Sequence, residues 1–578
     1  MHGLRRWGAA GLLAAALVLG AVACDGGGAE EDVGTRVGED PEPLPPEDRP
    51  GAPDSGTGTG GAVDGGAADG GSGVGGAVDG GAADSGSGAG GAVDGGGFGD
   101  GGPADGGAEY GGVIDGGMPD AGMGGGGGAA SADFVRTIGA PGLDLGHSVA
   151  IAGDGDVLVA SSHRVSLPDF GEGRQPEAGN VALSRFNPKG THLWTYAEVH
   201  EGNCGEGGPC TLTFLTTTAT AVDLAGRSAL ATLYYEEGPF GPFLLRETPR
   251  ITVLDRNGKV LWKRVIQGTG GKASVDDLGF DSSGNLYAGG FISGPGWDFG
   301  DGQPRGLEFL PASFVASYAP DGALRWVKVF GDARGSSRYG VMTVEPSGGL
   351  VLTGEMTGRL SFGGEELVGN EDGRLPDSQT YVEPRAFVAR FGPEGVHRWS
   401  RLLSPGRLHV NDLAVGPAGV ALAGYFEEFL TFAGRTIPAP YTEGGAQDGF
   451  VAVMATEDGQ ERWALSVRSG LDDQMFGVGW TPGGDVWAAG AVWGNASVAS
   501  TRLPDTEEDG PRFVLTRLRG ATGEVVSATS PASGVPDSGD LTVDSRGVVT
   551  MTGGTVGGTN CDEGCGGPIE LYLRQWLP

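Results

Sequence analysis

Five tryptophans return along this chain at a nearly constant interval, and each follows a glycine by four residues. The tryptophans are separated by 64 to 73 residues. They are Trp194, Trp262, Trp326, Trp399 and Trp463, and the glycines are Gly190, Gly258, Gly322, Gly395 and Gly459. A long, sustained period is typical of a repeat architecture, in which every unit buries its apolar surface against the next unit.

Each repeat divides into four short apolar stretches separated by turn residues. The second stretch follows a glycine turn, as in 348–354, and the fourth begins at the tryptophan. The third stretch carries a recurrent phenylalanine, at Phe314, Phe387, Phe450 and Phe513. Short alternating stretches without a long helical period predict an all-β domain. Four antiparallel strands per repeat form the blade of a β-propeller, in which these aromatic side chains pack between blades.

The number of glycine turns before the second strand predicts seven blades. These turns lie near Gly155, Gly226, Gly284, Gly348, Gly419, Gly484 and Gly547. The sixth copy has Ser527 where a tryptophan is expected, and the seventh ends after its third strand, 569–574. Residues 134–139 have the character of the missing fourth strand. We therefore predict a single seven-bladed β-propeller over residues 132–578, closed by an N-terminal strand that leaves no unpaired edge.

Residues 1–23 have the features of a lipoprotein signal peptide. Arg5 and Arg6 precede a short apolar run. This run is shorter than the roughly 20 residues that a spanning helix needs. It ends in Ala-Val-Ala-Cys at 21–24, which resembles the bacterial lipobox. The resemblance implies that Cys24 carries lipid and attaches the chain to a membrane. Cleavage of an ordinary signal peptide near an unmodified Cys24 is the alternative.

Residues 24–131 are predicted to form a disordered linker rich in Gly, Ala and Asp. The phrase Gly-Gly-Ala-Val-Asp-Gly-Gly recurs at 60–66, 75–81 and 90–96. Such a segment has too few apolar residues to offset the entropy of ordering glycine. Calcium-binding glycine and aspartate repeats have a nine-residue period, which this linker lacks. As a flexible coil of about 105 residues it reaches about 55–60 Å.

The repeat phrase resembles a known bacterial family. Gly290-Phe291 is followed by Asp298-Phe299-Gly300, then by Phe-Val-Ala and Asp-Gly-x-x-x-Trp, most clearly in copies three to five. This phrase resembles the SBBP-type β-propeller repeat of lipid-anchored surface proteins, such as myxobacterial lipoproteins. The resemblance implies a propeller lipoprotein at the outer membrane or cell surface, without shared catalytic residues. The segment 253–262 also resembles repeats of quinoprotein propellers and of the outer-membrane assembly propeller lipoprotein.

The remaining cysteines form two close pairs, Cys204 with Cys210 and Cys561 with Cys565. In an exported chain such pairs predict disulfides, and their spacing differs from that of zinc sites. The histidines follow no metal-binding pattern, and the folded domain contains no phosphate loop. We therefore predict no catalytic residues, no metal ligands and no cofactor.

Several aspartates in predicted turns raise the alternative of calcium binding. They are Asp154, Asp156, Asp298, Asp301, Asp472 and Asp473. None has the complete spacing of a calcium loop. A turn-forming role next to glycine is therefore favoured.

The chain carries 74 acidic and 38 basic side chains, a formal net charge of −36. This charge excludes nucleic acid as a natural partner, because phosphate binding requires basic patches. We predict a monomeric, non-enzymatic binding module at the cell envelope, with a protein or glycan ligand. The ligand is expected at the long loops 164–179, 236–249, 366–385, 435–448 and 498–511. A periplasmic assembly scaffold is the main alternative, and a quinone-dependent dehydrogenase is a third.

Overall fold

The structure is a computed structural model, and it describes the chain in thirteen segments within the compact unit Gly125–Pro578. The segments are 135–138, 144–163, 167–170, 181–198, 213–236, 246–306, 310–370, 383–439, 447–469, 471–504, 511–530, 539–556 and 569–576. The signal peptide, the linker and all five cysteines lie outside these residues. The described segments contain strands and turns, and they include no helix long and apolar enough to cross a membrane.

The strands form seven antiparallel blades, counted along the chain. The first strand, β1 (Val135–Ile138), belongs to the last blade. Blade 1 contains β2 (Asp144–Ile151), β3 (Val157–His163), β4 (Val181–Phe186) and β5 (His192–Glu198). Blade 2 contains β6 (Thr213–Val222), β7 (Ser228–Glu236), β8 (Arg246–Leu254) and β9 (Val260–Val265). Blade 3 contains β10 (Lys272–Phe280), β11 (Leu286–Ser293), β12 (Ala312–Tyr318) and β13 (Leu324–Phe330).

Along blades 4 to 6 the chain adds short hairpin strands to the same plan. Blade 4 contains β14 (Gly335–Val344), β15 (Leu350–Leu360), β16 (Leu367–Val368), β17 (Arg385–Phe391) and β18 (His397–Leu402). Blade 5 contains β19 (Leu408–Gly416), β20 (Gly419–Phe426), β21 (Phe429–Phe432), β22 (Arg435–Pro438), β23 (Asp448–Met454) and β24 (Glu461–Arg468). Blade 6 contains β25 (Gln474–Trp480), β26 (Asp485–Trp493), β29 (Pro511–Arg519) and β30 (Val525–Thr529). Two short strands that follow β26 in the chain, β27 (Ser497–Val498) and β28 (Thr501–Arg502), join the sheet of blade 5. Blade 7 contains β31 (Gly539–Val543), β32 (Val549–Val556) and β33 (Ile569–Trp576), with β1 as its fourth strand.

The seven blades form a closed ring, as predicted. The first strand of every blade lies innermost and contacts the first strands of both neighbouring blades, including β31 against β2. β1 pairs with β33 in antiparallel register, from Val135 opposite Arg574 to Ile138 opposite Leu571. The predicted closure by an N-terminal strand is therefore confirmed. β33 continues to Trp576, two residues beyond the predicted end of the third strand.

The two ends of the ring are built differently. Turns between first and second strands and between third and fourth strands lie at one end, here called the turn face. Their glycines have positive φ, such as 75° at Gly284, a conformation that side chains rarely adopt. The preceding acid closes the turn: Asp281 Oδ1 accepts the N–H groups of Ser283 and Asn285, each at 2.9 Å.

The opposite end, here called the loop face, carries the connections of unequal length. The second and third strands are separated in sequence by intervals of unequal length, such as 237–245 in blade 2 and 361–384 in blade 4, which includes β16. Four loop predictions were too wide or missed local structure. Residues 246–249 belong to β8, β16 lies within 366–385, and β22 forms within 435–448. The predicted loop 498–511 contains β28, and its first residue, Val498 of β27, pairs with Val467 in the outer strand of the preceding blade.

Apolar side chains fill the space between successive blades. The core cluster that joins blades 3 and 4, for example, contains Tyr287 and Val315 from blade 3 with Leu352 and Phe387 from blade 4. The recurrent phenylalanines of the third strands are at most 1% exposed. Because an aromatic side chain buries about 150–250 Å², these positions supply much of the core.

Candidate functional site

The five periodic tryptophans bind the next blade along the chain. In each case the indole N–H donates to a carbonyl of that blade's third turn, for example from Trp399 to Thr456 at 2.8 Å. The other pairs are Trp194 with Arg256, Trp262 with Pro320, Trp326 with Pro393 and Trp463 with Gly520. The rings also lie against the turn glycine, since a methyl group on Gly459 would lie 2.6 Å from the Trp399 ring. We call this contact the outer clasp. It confirms the predicted packing role.

The outer clasp also explains why Ser527 replaces the sixth tryptophan. The next blade, blade 7, takes its third strand from β33 and its fourth from β1. No turn joins these two strands, because they come from opposite ends of the domain. A tryptophan at position 527 would therefore have no turn glycine to pack against.

A second set of contacts lies on the innermost strands. In blades 1 to 6 the described first strand has a β-bulge near its middle. On the first strands of blades 3, 5 and 7, an aspartate accepts a backbone N–H from the next blade, and we call this contact the inner clasp. The pairs are Asp277 with Met342 (2.8 Å), Asp412 with Val478 (2.7 Å) and Asp540 with Val149 (2.8 Å).

Polar residues in blades 1, 2 and 5 make equivalent inner contacts. Ser148 Oγ accepts the Thr220 N–H at 3.3 Å, Thr218 donates to the Val275 carbonyl, and Asn411 donates to the Met475 carbonyl at 2.8 Å. We include these in the inner clasp. Aspartate, serine, threonine and asparagine all occur in the inner clasp, so no residue pattern in the sequence indicates it.

The inner aspartates are strongly affected by burial. Burial raises the pKa of Asp277 to about 8 and that of Asp540 to about 6. Burial followed by repulsion from Asp540 raises the pKa of Asp412 well above its usual range. No group of histidine, cysteine and acidic side chains in the described segments could hold a metal ion. These carboxyl groups therefore act as acceptors between blades.

Blade 1 contains a Ser-His-Asp set that sequence analysis missed. Ser161 Oγ lies 2.8 Å from His163 Nε2, and His163 Nδ1 lies 2.8 Å from Asp144 Oδ1. This order of hydrogen bonds is that of a serine hydrolase triad. The residues are brought together by strand pairing, with Asp144 opposite His163, and not by a linear motif. Only the alternation Ser161-x-His163 on a predicted strand could have indicated it.

Burial prevents this set from acting as a nucleophilic site. Ser161 is 0% exposed and His163 is 2% exposed. The Phe170 ring, from the following loop, packs edge-on against His163 at 5.8 Å between centroids. A nucleophile must contact its substrate, and a buried serine cannot do so. The three side chains instead satisfy one another's hydrogen-bonding groups within the core.

A buried acidic side chain joins blades 1 and 2. Glu198 accepts hydrogen bonds from the hydroxyls of Tyr196 (2.8 Å), Thr232 (3.2 Å) and Thr252 (3.1 Å). Lys263 Nζ lies 3.3 Å from the same carboxylate. Burial and the charge of Glu198 raise the pKa of the Tyr196 hydroxyl. These partners offset the cost of burying the Glu198 charge, which would be high for an unpaired carboxylate.

The aspartates considered for calcium binding are paired within the protein. Arg185 lies 2.9 Å from Asp156 and 3.2 Å from Asp154. A hydrogen bond from Arg305 lowers the pKa of Asp301 to about 2. Asp298 accepts the backbone N–H groups of its own turn, and Asp473 accepts the Ser469 hydroxyl. These contacts support the turn-forming interpretation.

A cavity of about 580 Å³ lies between blades 4 and 5, beside the turn at Gly459 and the hairpin tip at Ala433 and Gly434. Arg401 and Arg462 contribute to its lining. Their guanidinium groups donate to the carbonyls of Asp458 and Ala418 respectively. The charged groups of this cavity are therefore directed towards the protein backbone.

The predicted site residues lie outside the described segments. They are the lipid-attachment residue Cys24 and the disulfide residues Cys204, Cys210, Cys561 and Cys565. Lipid attachment at Cys24 and the two disulfides stay predictions.

Comparisons with known proteins give only distant structural likenesses. No family model and no curated protein matches the chain. Quinohemoprotein alcohol dehydrogenase ADHIIG from Pseudomonas putida HK5 is 12% identical, with a TM-score of 0.35, over 77% of this chain and 76% of its own. A europium-containing methanol dehydrogenase is 12% identical, with a TM-score of 0.35, over 77% and 93%. A protein of unknown function from Dyadobacter fermentans DSM 18053 is 11% identical, with a TM-score of 0.32, over 77% and 99%. Likenesses at this level carry no argument about activity or ligand.

Proposed function

We propose that this protein is a lipid-anchored, non-enzymatic binding module of the bacterial cell envelope, and that its ligand contacts the loop face. The difference between the two faces carries the proposal. Turns on the turn face are short and alike, whereas loop-face connections differ in length from blade to blade. Variable loops on a rigid scaffold are where binding specificity usually resides.

The contacts of the turn face and the inner strands support this choice. The tryptophans of the turn face are used in the outer clasp, and the inner aspartates accept backbone N–H groups of the next blade. The Ser161, His163 and Asp144 set is buried, which favours a role without catalysis. A ligand that binds the loop face would disturb none of these contacts.

The envelope location rests on the N-terminal sequence. Lipid on Cys24 would hold the chain at a membrane, and the linker of residues 24–131 would separate the propeller from the lipid surface. We place the protein at the outer membrane or cell surface, with a protein or glycan as its ligand. A periplasmic assembly scaffold is the alternative that the localisation experiment tests.

Exposed apolar residues on the two faces provide a matched binding test. Leu471 and Val368 lie on the loop face, and Leu224 and Val396 lie on the turn face; all four are at least 39% exposed. The full chain carrying Cys24→Ser would be tested for binding to envelope fragments of the producing bacterium. Leu471→Arg with Val368→Arg is expected to weaken binding. The control pair, Leu224→Arg with Val396→Arg, is expected to leave it unchanged. Equal effects of both pairs would contradict the loop-face assignment.

Localisation is tested separately with the native chain. Proteinase added to intact cells is expected to digest the propeller, and Cys24→Ser is expected to release the protein from membranes. Protection until the outer membrane is opened would place the propeller in the periplasm and favour the assembly scaffold. Retention of Cys24→Ser in salt-washed membranes would contradict lipid attachment at this residue.

A further inference from the structure

The junction between blades 6 and 7 lacks both clasps. On the outer side Ser527 replaces the tryptophan, and blade 7 has no turn between its third and fourth strands. On the inner side the bulge of blade 6 contains Phe476 and Gly477, which have no polar side-chain atoms. No hydrogen bond of either clasp type can therefore join these blades.

Within the described segments, every other junction carries at least one clasp. The outer clasp joins blades 1 to 2, 2 to 3, 3 to 4, 4 to 5 and 5 to 6. Between blades 4 and 5 the inner clasp is missing, because the bulge of blade 4 contains Gly340 and Val341, which have no polar side-chain atoms. The outer clasp of Trp399 is kept at this junction. Blades 7 and 1 are joined by the inner clasp of Asp540 with Val149.

Apolar packing holds the 6–7 junction together. Trp487 and Phe513 of blade 6 pack with Leu541, Met551 and Trp576 of blade 7. The glycine lets the two inner strands approach closely, since a methyl group on Gly477 would lie 2.5 Å from Leu541 Cβ. Such contacts are not directional, so they specify the relative position of the blades less strictly than hydrogen bonds do.

Blade 7 is held more firmly on its other side. Asp540 accepts the Val149 N–H of blade 1, and Leu571 and Leu573 share a core cluster with Val149 and Val159 of blade 1. A separation at the 6–7 junction would therefore leave blade 7 attached to blade 1. Among the junctions as the described segments form them, the 6–7 junction is therefore the place where the ring can part while its blades stay folded.

We propose that the propeller opens transiently at the junction between blades 6 and 7, and that this junction is a seam built into the ring. Opening exposes the apolar surfaces of Trp487 and Trp576 and gives lateral access to the inner strands. β1 is the outer strand of blade 7, so the segment that precedes β1 in the chain is attached to the blade that moves. This property is independent of the proposed binding role of the loop face.

Matched cysteine variants test the seam by their rates of reaction with N-ethylmaleimide. Met551→Cys places a thiol in the seam, and Leu352→Cys places one at the equivalent register of the 3–4 junction. Both positions are 0% exposed. Met551 pairs with Leu541, and Leu352 pairs with Met342. In each blade this partner is the first-strand residue that directly follows the inner-clasp position. The measurement uses the full chain under native conditions, with peptide mapping to separate the label from native cysteines.

The seam thiol is expected to react about tenfold or more faster, because buried groups react only when the surrounding structure opens. Leu541→Cys and Met342→Cys form a second pair, should either first variant fail to fold. Equal rates in both pairs, or faster reaction at the 3–4 junction, would overturn the proposal. Trp326→Ser with Asp277→Ala removes both clasps of the 3–4 junction, and this pair of substitutions is expected to raise the reaction rate of Leu352→Cys there. A rate unchanged by the pair would show that the clasps do not control opening and would also overturn the proposal.

Discussion

At the scale of single residues, the tryptophans connect sequence pattern to structure most directly. Their spacing predicted a repeat and a packing role, and the structure adds the partner, a turn carbonyl of the next blade. That partner lies 57 residues further along the chain from Trp399, so no local pattern indicates it. The exception at Ser527 could be interpreted only once the missing turn of blade 7 was known.

Replacement of a clasp tryptophan should destabilise the propeller. Trp399 is 5% exposed, and its indole N–H donates to Thr456. Trp399→Ala is expected to lower the free energy of unfolding by about 3–5 kcal/mol, since it leaves a cavity and an unpaired carbonyl. Denaturant unfolding measures the change. Ser527→Ala is the control, and it should change stability by less than about 0.5 kcal/mol. Similar effects of the two variants would refute the clasp.

The Ser161 hydroxyl is expected to be unreactive despite its triad geometry. A fluorophosphonate probe should not label the native protein, because Ser161 has no exposed surface. Ser161→Ala should instead destabilise the domain by about 1–3 kcal/mol, since His163 Nε2 loses its buried partner. Mass spectrometry after probe treatment checks the first point, and thermal unfolding checks the second. Labelling of Ser161 in the native state would show that substrate can reach it.

At the scale of strands and blades, the sequence was sufficient for blade number, strand order and ring closure. These follow from alternating apolar residues and glycine turns, which are local signals. The β-bulges were not predicted, because each depends on how two strands pair and not on a residue type. The inner clasp, which mixes Ser148, Thr218, Asn411 and three aspartates, was missed for the same reason.

Removal of the closing strand tests the pairing of β1 with β33. Deletion of residues 133–139 should leave β33 with an unpaired edge, and we expect aggregation or a lower melting temperature. Deletion of residues 60–96 in the linker is the control and should leave the melting temperature unchanged. Light scattering and calorimetry check both variants. If the strand deletion melts like the intact chain, β1 does not close the ring in solution.

At the scale of the whole molecule, buried acids dominate the expected response to pH. Burial raises the pKa of Asp276, Asp277, Asp412, Asp473 and Asp540 above the value of about 3.9 found in unfolded chains. These five carboxyl groups therefore bind more protons in the folded protein than in the unfolded chain between about pH 4 and pH 8, and their contribution to stability falls as the pH rises. Burial lowers the pKa of His147 to about 4, which contributes with the opposite sign below about pH 6.5, but five carboxyl groups outweigh one histidine.

The melting temperature should accordingly be higher at pH 5 than at pH 8, by several degrees at constant ionic strength. Asp412→Asn keeps a side-chain oxygen that can accept the Val478 N–H but removes the titrating group. This variant should show a shallower dependence of melting temperature on pH than the unaltered protein. A slope that is unchanged or steeper in the variant would contradict the assignment.

The pairing of β1 with β33 also has a consequence for the order of events during synthesis. β1 leaves the ribosome before every other strand of the ring, and its partner leaves after all of them. The ring therefore cannot close until β33 has been synthesised. A contact between such distant segments is slow to form, and the exposed edge of β33 is a hazard until it does. The appearance of β33, and not the folding of any one blade, is the step that allows the ring to close.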